Sequence, residues 1–403
     1  MFSVRLTAAA LILIQGPALA QGARPTTSKR GDTTVVVNTG NGVWGRVRDA
    51  IEVKRFNAET KETTFGQAYM AAATPDGGVV IFDQKSLDGP IIRQFDADGR
   101  FVRNLGRQGS GPGEYQMGPM STISIVVQKS GAVVVREGAR SVMRFGTDGN
   151  YRDGFMLNHT NGSTNEIVAA NDGTYWVRAA FAMVRPPAPQ PSGQRPMIHY
   201  DSLGNKLDSL VHGPGWLPPN QGPNAPFAWW VPVPDGRVMY ARTDKVGFLL
   251  VDPKRNVSPV IVEATAQPVR YSAEERKELE DLEDFREKMP RRGPSARRVI
   301  PESKPLAQGA SVDINGRFWV RRQGPGEKMN RRILASYGGR AGEGTFYGVW
   351  QDQTEYVAFS PEGQLLGAVR FPAGVYPTFA GNTAWGFIRD ADDVPILVKY
   401  RIY

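Results

Sequence analysis

Two recurring turn signals, and the strand-like runs between them, predict an all-β fold: a six-bladed β-propeller closed by an N-terminal strand, with one inserted helix. The first signal is a glycine-containing turn followed by a β-branched or aromatic run. It appears as Pro75-Asp76-Gly77-Gly78 before Val79-Val80-Ile81-Phe82, and as Ser130-Gly131 before Val133-Val134-Val135. It returns as Asn171-Asp172-Gly173 before Tyr175-Trp176-Val177, Asp235-Gly236 before Val238-Met239-Tyr240, and Asn315-Gly316 before Phe318-Trp319-Val320. Gly381-Asn382 before Trp385-Gly386-Phe387 is a weaker sixth copy. Asp-Gly and Asn-Gly between strand-like runs mark hairpins, because such turns need φ > 0. The second signal is an apolar residue, a polar turn, Gly or Asn, then another apolar residue. Phe95 to Phe101, Phe145 to Tyr151, Tyr200 to Leu207, Val251 to Val257 and Phe359 to Leu365 all fit it.

Each pair of turns defines four strands, a to d, which is one propeller blade. Five such units lie between about residues 66 and 372, and Tyr376 to Tyr403 supplies only strands a to c. The missing strand is expected from the other terminus, at Thr33-Thr34-Val35-Val36-Val37, where pairing would close the ring and cover a sheet edge.

Within this pattern, Gly106-Arg107-Gln108-Gly109-Ser110-Gly111-Pro112-Gly113-Glu114-Tyr115 resembles a Gly-Pro-Gly-Glu-aromatic signature after a first blade. Pro301-Glu302-Ser303-Lys304-Pro305, followed by Asp313 to Val320, is similar to it as well. The chain thus resembles the bacterial six-bladed β-propeller proteins related to NHL-repeat propellers. The resemblance implies the fold over most of the chain and leaves activity open, since function lives in sites grafted onto folds.

The ends and the composition bound the setting. Arg5, the apolar run Leu6 to Ile14 and Ala18-Leu19-Ala20 read as a signal peptide over 1–20, with Gln21 as the new N-terminus. Residues 21–32 read as a flexible leader and 33–403 as the propeller. No later segment has the length of a transmembrane helix. The expected location is therefore periplasmic or extracellular, in soluble form. With no Cys, the chain has no disulfide, thiolate metal site or cysteine nucleophile. His159, His199 and His212 are scattered, which argues against a His-ligated zinc. The formal charge of +9 has no continuous basic run, so it suits acidic ligands better than nucleic acid.

The short a–b and c–d turns fall on one face of a propeller and the long segments on the other. The long ones are Gly106 to Met120, Phe181 to Pro196, Gly213 to Ala228, Tyr271 to Pro305 and Gln323 to Phe346. Long loops gathered on one face of a rigid scaffold commonly carry function. One of them opens with the capping box Ser272-Ala273-Glu274-Glu275, which predicts a helix over about 272–289. Its narrow stripe of Leu279, Leu282, Phe285 and Met289 predicts packing on the protein's own surface.

The chain has no Gly-x-Ser-x-Gly, His-Glu-x-x-His, Walker A loop or dinucleotide fingerprint in a βαβ setting, so no cofactor is called for. Instead, strand b ends in Arg136, Arg178, Arg242, Arg321 and Arg389, with Asp83 at that place in the first blade. A ring of guanidinium groups at a channel mouth would bind carboxylate or phosphate. Glu114 and Trp230 join the candidate ligand-binding set, the latter as a stacking surface. The expectation is a non-enzymatic exported scaffold for an acidic small molecule, glycan or protein segment. Two alternatives stand beside it. One is a metal-dependent hydrolase like the six-bladed lactonases and gluconolactonases, which would need converging carboxylates. The other is a structural module of an envelope complex.

Overall fold

The computed structural model describes residues 24–56, 60–86, 89–116, 123–138, 141–157, 167–178, 197–210, 228–254, 257–289, 297–337 and 344–403. Residues 1–20, expected as a signal peptide, His159, His212, the whole of Phe181–Pro196 and most of Gly213–Ala228 lie outside them. Six antiparallel blades follow one another around a central channel. In chain order their innermost strands are Ala68–Ala73, Ile123–Val127, Ile167–Ala169, Ala228–Pro232, Gly309–Val312 and Thr378–Ala380. The a–b turns of the first five blades are closed by the same pair of backbone bonds, while in the sixth Ala380 pairs directly with Thr383 across Gly381-Asn382. In the first blade Thr74 N–H donates to the Gly78 carbonyl at 3.0 Å, and Gly77 N–H donates to the Thr74 carbonyl at 3.0 Å. Gly77 and Gly236 both sit at φ 89°, a conformation that a side chain makes costly.

The pleat of each blade sends alternate side chains to opposite neighbours. In the first blade Val79 and Ile81 pack with Trp385 and Leu397 of the sixth, while Val80 and Phe82 pack with Ile125 and Val133 of the second. The same alternation repeats around the ring and yields six apolar clusters, one per blade interface. The joint between the first and sixth blades is made by Phe56, Phe65 and Trp385, with Trp385 Nε1–H donating to the Gly77 carbonyl at 3.0 Å.

An N-terminal strand does close the ring, but it is a different one from the strand expected. Ile51–Phe56 pairs antiparallel with Pro395–Arg401 as the outer strand of the sixth blade. Thr33–Asn38 instead adds in parallel to Val260–Ala264, the outer strand of the fourth blade. Arg48–Asp49 adds in parallel to the outer strand of the fifth. The N-terminal segment is thus a strap across three successive blades. Asn38 anchors it: its Oδ1 accepts from Leu365 N–H at 2.7 Å, and its Nδ2 donates to the Gly363 carbonyl at 3.0 Å. The expected flexible leader, 21–32, holds a strand as well, Thr26–Arg30, hairpinned onto Thr33–Asn38.

A second correction concerns Gln323 to Phe346, expected as a loop. The two central strands of the fifth blade run on through it, as Phe318–Tyr337 and Thr345–Phe359, forming a hairpin that outgrows the blade. The helix Ala273–Lys288, capped by Ser272 and Glu275 as its sequence predicts, packs against that hairpin. Carboxylates hold it there as much as apolar contact does. Glu278 accepts from Val349 N–H at 2.7 Å and from Trp350 N–H at 3.2 Å, and Phe285 meets Phe346 with ring centroids 5.6 Å apart. Beneath it the buried ammonium of Lys304 donates to Glu275 at 2.7 Å, to the Gly324 carbonyl at 3.0 Å and to Asp352. Among the described residues, no helix is long and apolar enough to cross a membrane.

Candidate functional site: the channel and its arginine

The six innermost strands enclose a channel of about 1090 Å³. Side chains of strand b stand one strand back from it, and the pleat aims them into the gaps between blades. This decides the fate of the strand-end set. Asp83 is fully buried toward the sixth blade. Its oxygens accept from Gly66 N–H at 3.0 Å, Gln67 N–H at 2.7 Å and Lys85 N–H at 3.3 Å, and Arg93 lies 3.5 Å away. Arg136 is buried between the second and third blades, where burial lowers its pKa to about 10. Arg242 forks onto Asp244, with Nε to Oδ1 at 2.7 Å. Arg389 folds back on its own turn, donating to the Asp393 carbonyl at 2.7 Å. Arg178 ends the strand Tyr175–Arg178, and its side chain lies outside the described residues.

Glu114 clamps its own loop. It accepts from Gly111 N–H at 2.8 Å and from Arg107 at 2.6 Å, and these two bonds, the backbone one foremost, hold its carboxyl below the usual range. Trp230 borders the channel but is buried, its ring set edgewise on Tyr240 at 5.1 Å. It offers no stacking face.

Arg321 alone of the strand-end set lines the channel. Its strand partner is Gly309, and a side chain there would stand 3.3 Å from the Arg321 Nε. The missing side chain lets the guanidinium lie across strand a toward the axis. Nη2 donates to the Gln308 carbonyl at 3.0 Å, and the guanidinium carbon sits 5.1 Å from the Tyr376 ring centroid. Tyr376 is exposed. Tyr356, buried beside Arg321, has its phenol pKa raised by burial. Arg321 makes no ion pair with any described carboxylate, and its buried Nε has no hydrogen-bond partner. By contrast the acids bordering the channel are already engaged: Asp235 pairs with Arg237 at 2.7 Å, and Asp313 with Arg317 at 2.7 Å. Among the described residues, no group of three or more His, Asp or Glu side chains gathers as a metal site would require.

Sequence reasoning named Arg321 but missed Gln308, Gly309, Tyr356 and Tyr376. The one available signal was a glycine opposite the arginine in the strand register.

Comparison with known proteins agrees with the architecture. Residues 27–190 match a family described as a 6-bladed beta-propeller, and the chain is a six-bladed β-propeller. Similar solved structures include a member of the DUF4221 family from Bacteroides vulgatus, at 10% identity over 88% of this chain and 98% of that one, with a TM-score of 0.49. A putative exported protein from Bacteroides fragilis is 12% identical over 91% and 99%, TM-score 0.46. Virginiamycin B lyase from Staphylococcus aureus is 10% identical over 87% and 99%, TM-score 0.38. No curated protein sequence matches the chain.

Proposed function

We propose that the protein is an exported binding scaffold that takes the acid group of a ligand at the long-loop end of its channel, with Arg321 as the anchor. The observation that carries this is the state of Arg321. A guanidinium facing a channel without a carboxylate partner is a charge awaiting one, whereas the other described strand-end groups are spent on the fold. Export rests on the pattern of residues 1–20. A charge-assisted hydrogen bond contributes about 1.5–3 kcal/mol, and more than an exposed ion pair would. Arg321→Gln is therefore expected to weaken an acidic ligand by about ten- to a hundredfold in calorimetric titration, using a panel of acidic sugars and acidic peptides. The residual binding should also depend less on salt. Equal affinity in the variant, with its melting temperature unchanged, overturns the proposal. The export arm is checked separately: mass spectrometry of protein recovered outside the cytoplasm should show an N-terminus at Gln21.

A further inference from the structure

The walls of the channel say what the rest of the ligand must be. In an antiparallel pair a residue directs its N–H and C=O to the same side, and its chain neighbour directs them to the other. Thr74, Gln128, Ala170, Val233 and Asp313 donate N–H bonds to strand b at the first turns. The residues just before them, Ala73, Val127, Ala169, Pro232 and Val312, therefore turn their backbone groups toward the axis. The same holds two residues earlier on each strand. The innermost strands belong to separate sheets, so no ladder joins them across the channel. Two of these edge groups near the axis are engaged by neighbours: Ala73 N–H donates to Thr378 Oγ1 at 3.1 Å, and Asn171 N–H to the Pro234 carbonyl at 2.6 Å. The channel is thus walled by tiers of backbone donors and acceptors, set among alanines and larger apolar side chains such as Met70, Ile125, Val168 and Val231, with Arg321 toward one end.

We infer that the ligand is a polyhydroxylated carboxylic acid of the sugar-acid type. This rests on the reading of Arg321 above and extends it. Hydroxyl groups both donate and accept, so they can satisfy such edges as water does. An apolar body would displace that water and leave the amides unpaired, at a cost comparable to the hydrogen bonds lost. Size agrees. Five strand residues at about 3.3 Å each give a length of roughly 16 Å, so 1090 Å³ corresponds to a width of roughly 9 Å. That admits a sugar ring.

The test is calorimetric or NMR titration of the full mature protein with D-glucuronate, cyclohexanecarboxylate and D-glucose. D-glucuronate should bind about tenfold or more tightly than either of the others. Arg321→Gln should erase its advantage over glucose, with Arg321→Lys restoring part of it and both variants melting as the parent does. Cyclohexanecarboxylate binding as tightly as glucuronate, through Arg321, overturns the sugar-acid inference and leaves the anion site standing. An acidic peptide outbinding glucuronate does the same. Glucuronate binding that Arg321→Gln does not alter overturns the anion site itself. No saturable response to glucuronate overturns the sugar-acid inference.

Discussion

Arg321 and Asp83 close equivalent strands, yet one faces the channel and the other is sealed in the fold. The difference is set by what lies across the register. Asp83 meets three backbone N–H groups and Arg93, so Asp83→Ala should cost about 3–5 kcal/mol, the price of stranding a buried partner, and should leave ligand affinity intact in whatever fraction stays folded. Arg321 meets Gly309. Placing a methyl group there, 3.3 Å from Nε, should tilt the guanidinium off the strand. Gly309→Ala is expected to weaken acidic ligands by several-fold with little change in melting temperature, and Gly309→Val by more; chemical denaturation and titration of the same samples separate the two effects. The candidate site was only partly legible for this reason. An arginine at a strand end is visible in the chain, but the direction it takes depends on a glycine twelve positions away that the register brings opposite.

The helix and the overgrown hairpin form one element locked by charge. Glycines make the fit possible: a side chain at Gly326 would collide with the Glu275 carboxylate, and one at Gly348 with that of Glu278. Burial raises the pKa of Glu275, but bonds from Lys304 and Ser272 overcome this and hold it below the ordinary value. A carboxyl lowered in the folded state adds stability that is fully present above its unfolded pKa, about 4.3, and is lost as pH falls through the folded value. The helix should therefore loosen from the hairpin on acidification below about pH 4, before the blades melt. Hydrogen exchange of the amides in 273–288 against those of the blade strands would show it; simultaneous loss of protection would refute it. Lys304→Met leaves the buried Glu275 and the partly buried Asp352 without their cation and should destabilise this element by about 3–5 kcal/mol. The helix was readable because a capping box and its charges are local. The hairpin was not, since Gly324, Pro325 and Gly326 look like a turn and are strand only because Thr354 and Asp352 lie opposite Gln323 and Gly326.

At the scale of the ring, the blade count was legible because each turn needs a glycine or asparagine at a fixed place, a purely local demand. The closing strand was not. Val35-Val36-Val37 and Ile51-Glu52-Val53 both suit a sheet edge, and the choice is made by partners hundreds of residues away. The two segments should differ in a truncation series. Removing residues through 40 strips an added fifth strand from the fourth blade and should lower the melting temperature by a few degrees with one transition retained. Removing residues through 56 takes Phe56 and the outer strand of the sixth blade, and should broaden or split the calorimetric transition. If both truncations melt alike, the strap does not divide its work as its pairing implies.

The strap also fixes a timetable. Its residues are made well before their partners: Ile51 pairs with Arg401, about 350 residues later, and Val35 with Ile261. Until the fourth blade exists, the segment Val35-Val36-Val37 has nowhere of its own to go, Ile51–Phe56 must wait for the sixth, and closing so long a span is slow. During synthesis and any passage across a membrane it is an unpaired edge among other unpaired edges, open to wrong partners. Moving residues 26–56 to follow Tyr403 would bring them out beside their partners. Such a permuted chain should refold faster and aggregate less than the natural order, at similar final stability.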